Sequence, residues 1–262
     1  MRNFHTLLDN LCCITITNNG IKIANMINKK TGCDIFALKK LNCNSCKRFD
    51  SLKEIFKFCF DKYQGIVAIM SLGIVIRMIG NLIRSKYTDP AVVVIDDAAR
   101  FCISSLSGHE GGANRLSHYL ASIIGCQAVI TTATETNKRY VMGIGTRKNI
   151  DKEIVKKAII ETLNNIGLTT SNIRVVASCW LKQNEQGLVD AAKELKLETV
   201  FLPKQLYKNE LYCFKESAAI KYIGIKNVAE ASALLASTNP RLILPKTDIN
   251  GVSIAIVEEQ LL

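Results

Sequence analysis

Short, nearly unbroken apolar runs punctuate the first half of the chain: Leu11–Thr17, Cys33–Leu38, Gly65–Ser71, Ala91–Ile95 and Gln127–Thr131. Runs of this length without polar alternation are the pattern of strands buried on both faces of a parallel sheet. Between them the apolar positions change to helical spacing. Ile21–Lys30 predicts one helix, and Leu52, Ile55, Phe56 and Phe60 predict a second. A third opens at Gly73, with Ile76, Ile79, Leu82 and Ile83 along one side, and Leu116, Tyr119, Leu120 and Ile123 predict a fourth that starts near Gly112. Residues 39–50 are polar and rich in turn formers, which predicts a loop.

The second half repeats the rhythm. Tyr140–Ile144, Ile173–Ala177 and Glu198–Leu202 predict strands. Helices are predicted over Asp151–Ile166, with Ile154, Ala158, Leu163 and Ile166 inward, and over Asn184–Leu195 and Val228–Ala236. Leu242–Leu244 and Val252–Val257 then flank Asn250-Gly251, the strongest short hairpin signal. The polar stretch Glu135–Arg139 reads as a linker, so the expectation is two α/β domains, residues 1–137 and 138–262. The first is expected to be a Rossmann-like doubly wound parallel sheet, and the second a smaller mixed α/β sheet.

Ser104–Asn114 interrupts this pattern with Ser-Ser-Leu-Ser-Gly-His-Glu-Gly-Gly-Ala-Asn. The short apolar stretch Phe101-Cys-Ile predicts a strand before it, and a helix follows. Glycines at a strand–turn–helix junction let the backbone turn sharply, and a helix N-terminus favours negative charge. Packing has no need of a histidine, a glutamate and two hydroxyls in so tight a loop.

Composition narrows the partner. The chain has 262 residues, is 48% hydrophobic, and carries 34 Lys and Arg against 23 Asp and Glu, for a net charge of +11. The basic residues are dispersed, aromatics are 6%, and no RNP-like, KH-like or zinc-finger pattern is present. A polyanionic small molecule fits this charge as well as nucleic acid does, and with no such motif present no nucleic-acid partner is expected. The longest uncharged run, Gln64–Ile76, is shorter than the roughly 18 residues a membrane span needs. The first residues lack the apolar core of a secretory signal, so a cytoplasmic protein is expected. Ten cysteines are then expected to stay as thiols. Only Cys43-x-x-Cys46 has metal-ligand spacing, with no second pair after it, and it is expected to be a solvated loop rather than a metal site.

His109 in the glycine loop is the candidate general base toward water, because imidazole exchanges protons near neutral pH. The backbone amides of Gly111 and Gly112 are candidates to stabilise an oxyanion. Glu110 is the candidate acid. Ser107 is an alternative nucleophile, although it lacks the G-x-S-x-G elbow. His118 falls within the predicted helix and is expected to be a surface or packing residue. Arg77, in the first turn of the helix after Gly65–Ser71, is placed to clamp an anion where ligands bind in open α/β sheets. Gly143-x-Gly145 after a strand lacks the third glycine and the later acidic residue of a dinucleotide site.

Several of these segments together resemble the CbiG family, the cobalt-precorrin-5A hydrolases of anaerobic cobalamin biosynthesis. They are Gly73-Ile-Val-Ile-Arg77, Asp89-Pro-Ala-Val-Val-Val, Ser107-Gly-His-Glu-Gly-Gly-Ala-Asn114 and Val129-Ile-Thr-Thr-Ala-Thr134. In the second half Gly143-Ile-Gly-Thr-Arg-Lys148, Lys182-x-x-Glu185-x-Gly187-Leu188 and Val228-Ala-Glu-Ala231 are similar to the family's C-terminal domain. The resemblance implies a hydrolase that opens a lactone on a cobalt-corrinoid and releases acetaldehyde, giving cobalt-precorrin-5B. It implies no protein cofactor and no protein metal site, since cobalt travels with the substrate, and other enzymes of the pathway as partners. It assigns His109, Glu110 and Ser107 to catalysis. It assigns Arg77, Gly108, Gly111, Gly112, Asn114, Thr131, Thr132, Thr134, Gly143, Gly145, Arg147, Lys182 and Glu185 to the substrate, with Lys148 a further carboxylate clamp. A carrier of corrinoid intermediates that performs no chemistry is the alternative.

Overall fold

The computed structural model describes residues 4–43, 45–133, 138–208 and 227–260. The chain divides into two units, Met1–Thr132 and Ala133–Leu262. The first contains strands β1 (Leu11–Thr15), β2 (Asp34–Leu38), β3 (Lys47–Phe49), β4 (Gly65–Ile69), β5 (Ala91–Ile95), β6 (Phe101–Leu106) and β7 (Gln127–Val129). Its helices are α1 (Phe4–Asp9), α2 (Asn18–Thr31), α3 (Leu52–Lys62), α4 (Leu72–Ile79) and α5 (Ala113–Ile124). The sheet order is β3-β2-β1-β4-β5-β6-β7.

The apolar runs are strands covered on both faces. Cys13, Val67 and Val93 face a layer that includes Ile27 and Leu116. Their neighbours Cys12, Ile66 and Val92 face Phe56 and Val75 on the other side. Each side chain so buried stabilises the fold by about 1.5–3 kcal/mol, which a polar residue on either face would forfeit. Lys47–Phe49, expected as loop, is a short edge strand, with Phe49 buried as its anchor.

The sheet is parallel from β3 to β5, and then reverses. β5 and β6 pair antiparallel, and β7 runs parallel to β6. Only Asp96–Arg100 connects β5 to β6, whereas a parallel crossover needs a dozen or more residues. The turn is closed by Asp96, whose Oδ1 accepts the amides of Arg100 and Phe101, both at 2.7 Å. Burial resists ionisation of Asp96, but the Phe101 amide and Arg100 outweigh it and hold its carboxyl below the usual range.

α4 also departs from its expected face. Val75 and Ile79 are buried, while Ile76 is 55% exposed. The helix stops at Ile79, so Leu82 and Ile83 lie beyond it and Arg77 falls in its last turn rather than its first. In so uniformly apolar a segment the sheet, rather than periodicity, selects the buried side.

The second unit carries β8 (Tyr140–Thr146), α6 (Lys152–Asn165), β9 (Ile173–Cys179), α7 (Gln186–Glu194), β10 (Thr199–Leu202), α8 (Val228–Leu235), β11 (Pro240–Ile249) and β12 (Val252–Glu259). Its mixed five-stranded sheet has the order β10-β9-β8-β12-β11. β8, β9 and β10 are parallel, and β12 is antiparallel to both β8 and β11. Asn250 and Gly251 both adopt positive φ, 50° and 85°, as the hairpin turn requires. Within α6 the buried side is Val155, Ala158, Ile159, Thr162 and Leu163, a shift from the expected stripe. Among the described residues no helix is long and apolar enough to cross a membrane.

Candidate active site

Because β6 runs backwards, the loop after it is delivered to the edge of the sheet where β5 begins. Val92 is paired with Leu106, at the end of β6. The loop closes with Ala113 N donating to Ser107 O at 3.2 Å and Asn114 N donating to Gly108 O at 3.0 Å. Ser107 is buried with φ 55°, an unusual backbone for a residue with a side chain. A Cβ on Gly111 would lie 2.4 Å from Ser107 Cβ, so only glycine fits there. Gly112 caps α5 with φ 92°, which also calls for glycine.

This tight inner turn leaves His109 and Glu110 on its outside. His109 Nδ1 lies 3.5 Å from Glu110 Oε1, and the two side chains are 52% and 30% exposed. A carboxylate facing Nδ1 favours the tautomer whose Nε2 lone pair is available to accept a proton. Gly111 and Gly112 make no backbone hydrogen bond through their amides among the described residues. They stand at the N-terminus of twelve-residue α5, where the helix dipole favours negative charge. An imidazole, a carboxylate beside it and two backbone amides thus share one hydrogen-bonded turn.

Two braces hold the turn. Asn114 spans from β6 to the segment after β7, accepting from Ser104 Oγ at 2.8 Å and donating to Thr132 Oγ1 at 2.9 Å. Gly108 is close-packed there, since a Cβ on it would meet Asn114 Oδ1 at 2.7 Å and Thr132 at 3.0 Å. The second brace is Ser107 Oγ, which donates to the Asp89 carbonyl at 3.3 Å. Its proton is directed into the fold rather than toward His109, so Ser107 shapes the loop, and the alternative of a serine nucleophile loses support. The sequence pattern marks Ser104 only as the start of the glycine loop and Asp89 only as part of the family-like segment Asp89-Pro-Ala-Val-Val-Val. Asp89 is 3% exposed, and its Oδ2 accepts the amides of Arg84 and Ser85 at 2.9 and 3.0 Å. An aspartate ahead of proline in a turn is the signal that could have marked it.

Thr131 is exposed at the same edge, beyond β7. Thr134 lies outside the described residues. His118 is buried in α5, in keeping with a packing role.

Arg77 is not part of this cluster. α4 starts at the opposite edge, after β4 ends, and Arg77 Nη1 reaches back to Gly73 O at 3.3 Å, toward the first turn of its helix. Roughly 16 Å of five-residue strand separates the two edges. Arg77, expected to bind substrate, thus lies at the other end of the strands from His109, because the reversal of β6 sends the loop to the far edge. The Arg77 edge has its own open cleft of about 360 Å³, lined by Asn19, Ser71, Asp96, Asp97, Ala98 and Arg100.

In the second unit the expected substrate residues are committed to the fold. Gly143 lies under α8, where a Cβ would come within 1.8 Å of Ala229 O. Gly145 is buried in β8 beside Val228. Arg147 holds the hairpin turn, donating from Nη2 to Asn250 O at 3.1 Å. Lys182 Nζ contacts Glu185 Oε2 at 3.2 Å and Arg147 O at 3.3 Å. Glu185, only 8% exposed, accepts the Ile150 amide at 3.2 Å. The structure does bring Arg147, Lys182 and Glu185 together, with Lys148 beside them on an exposed turn.

Cys43 and Cys46 are joined by a disulfide with Cα atoms 5.7 Å apart, so neither the expectation that all ten cysteines stay thiols nor that of a solvated loop holds at this pair. Cys43 is buried against Ile21 and Ala37, and the Arg48 guanidinium holds the loop closed through Lys39 O and Cys43 O at 2.8 and 2.6 Å. Among the described residues no group of three or more His, Cys, Asp or Glu side chains could hold a metal ion.

These features describe a two-unit α/β protein with an exposed histidine–carboxylate pair on a braced glycine turn at one edge of its larger sheet. The family model described as cobalamin synthesis G N-terminal matches residues 54–135, and that described as cobalamin synthesis G C-terminus matches residues 140–257. The chain belongs to the CbiG family of cobalamin biosynthesis.

Over 131 residues it is 35% identical to a Salmonella typhimurium protein named cobalt-precorrin-5A hydrolase, a match covering 50% of this chain and 37% of that one. A Priestia megaterium protein of the same name is 37% identical over 132 residues, covering 48% and 35%. The chain thus aligns with little more than a third of either. A Methanocaldococcus jannaschii protein named probable cobalt-precorrin-5A hydrolase is 22% identical over 280 residues, covering 75% and 86%. Among solved structures, a putative cobalamin biosynthesis protein G homolog from Sulfolobus solfataricus is 21% identical over 98% of this chain and 99% of its own, with a TM-score of 0.39.

Proposed function

We propose that this chain hydrolyses cobalt-precorrin-5A, opening its lactone and releasing acetaldehyde to leave cobalt-precorrin-5B. The observation that carries the reading is the braced turn, with His109 and Glu110 outward and the Gly111 and Gly112 amides at a helix N-terminus. Lactone opening needs a base to take a proton from water and donors for the oxyanion at the acyl carbon. His109 supplies the first, and the two amides supply the second. Water adds to the acyl carbon, the ring C–O bond breaks, and the released hydroxyl carries the two-carbon fragment. Removal of that hydroxyl's proton breaks the bond to the macrocycle, acetaldehyde departs, and the macrocycle carbon takes up a proton. Glu110, beside His109, is the group to hold or return that proton. Cobalt enters and leaves as part of the substrate, and the net charge of +11 suits a macrocycle rich in carboxylates.

The test is acetaldehyde release from cobalt-precorrin-5A, wild type beside His109→Ala. Loss of about 10²–10⁴-fold in rate with retained corrinoid binding is the expected result. Equal release by both proteins would move the base elsewhere, and binding without release by either would favour a carrier.

A further inference from the structure

The connection between α4 and β5 ends at the same sheet edge as the His109 loop, and its surface is unlike a solvated turn. Ile83 is 47% exposed and Tyr87 65% exposed, among the most exposed large apolar side chains described. Between and beside them stand two cations. Lys86 Nζ sits 5.0 Å from the centre of the Tyr87 ring. Arg84, whose side chain is 75% exposed, has Asp61 Oδ1 3.7 Å from its Nη2. A pair that long and that exposed is weak and leaves the guanidinium able to engage another anion.

The turn itself is rigid. Asp89 Oδ2 holds the amides of Arg84 and Ser85, Tyr87 N donates to Ser85 Oγ at 3.3 Å, and Asp89 N donates to Ser85 O at 2.9 Å. Asp89 also receives Ser107 Oγ on its carbonyl, so one buried residue fixes both this turn and the His109 turn. Exposed apolar surface from Ile83 and Tyr87, with the Lys86 ammonium over one face of the Tyr87 ring and the Arg84 guanidinium on the same turn, is complementary to a macrocycle with carboxylates on its rim.

We propose that the turn Ile83–Asp89 is the recognition platform of the His109 site, and that it takes the carboxylate-bearing rim of the corrinoid substrate. This rests on the hydrolase reading for the identity of the substrate, but not for the binding chemistry. Asp89 is a positioning residue in this arrangement: it touches no substrate and couples the platform to the catalytic turn.

The test uses the full chain and two probes, cobyrinic acid and its methyl ester, with dissociation constants measured by fluorescence quenching. Arg84→Gln/Lys86→Gln should weaken binding of the acid by about tenfold. The ester should bind wild type about as weakly as the acid binds the double variant. Tyr87→Ala should weaken both probes alike, because it removes ring contact rather than charge. With cobalt-precorrin-5A the double variant should raise KM more than it lowers kcat, and acid binding should survive His109→Ala. Acid bound equally well by the double variant and wild type would overturn the platform. Tight acid binding that depends on Arg84 and Lys86, without lactone turnover, would support the platform and remove the hydrolase assignment. Turnover indifferent to all three platform residues would do the reverse.

Discussion

Two charged, glycine-bearing motifs of this chain, each following a strand, are built to opposite ends. In the turn after β6, Ser107, Gly111 and Asn114 are spent on internal bracing, and His109 and Glu110 are left facing solvent 3.5 Å apart. In the second unit, Lys182 and Glu185 meet each other, and Glu185 turns inward to the Ile150 amide. Even Gly187 serves packing there, since a Cβ on it would lie 1.9 Å from Ile150 O. A motif can thus be rich in reactive residue types and still be structural. What separates the two is exposure: the His109 and Glu110 side chains are 52% and 30% exposed, those of Lys182 and Glu185 17% and 8%.

The largest effect expected from this contrast is at His109. The His109→Ala variant should lose about 10²–10⁴-fold in rate, yet unfold within about 0.5 kcal/mol of wild type, since its side chain is half exposed. Glu185→Ala should show the opposite split. It strands the Ile150 amide and removes the carboxylate from Lys182, costing about 2–3 kcal/mol in urea denaturation. A variant of unchanged stability with a raised KM would make Lys182 and Glu185 a substrate clamp and dissolve the contrast.

Gly111→Ala tests the bracing itself. The added methyl has no room beside Ser107, and a cost of about 1–3 kcal/mol is expected from the same measurement. Smallest is Arg77→Ala, at the far edge of the sheet, where kcat/KM should stay within about twofold of wild type because the two positions share no partners. A large loss there would mean that the chemistry belongs to the cleft at Asn19 and Asp97.

The alternation of strands and helices was legible because burial on both faces leaves an unmistakable apolar run, as in Val92-Val93-Val94. The glycine loop was legible because its residue types have no packing purpose. The buried side of α4 was not, since Leu72–Ile79 is apolar nearly all round and only the sheet chooses between Val75 and Ile76. The separation of Arg77 from His109 was hidden for another reason. It depends on strand direction, which resides in the brevity of Asp96–Arg100 rather than in any motif. Asp89 escaped notice because its value comes from contacts with residues both before and after it, 84, 85 and 107.

The hairpin at Asp96 has a wider architectural consequence. A purely parallel sheet has one productive rim, because every strand hands its chain to a loop on the same side. Folding the last two strands back gives this sheet a second rim of the same kind, so that loops following β1, β4 and β5 gather on one side and loops following β6 and β7 on the other. Either rim could then diversify during evolution without disturbing its counterpart.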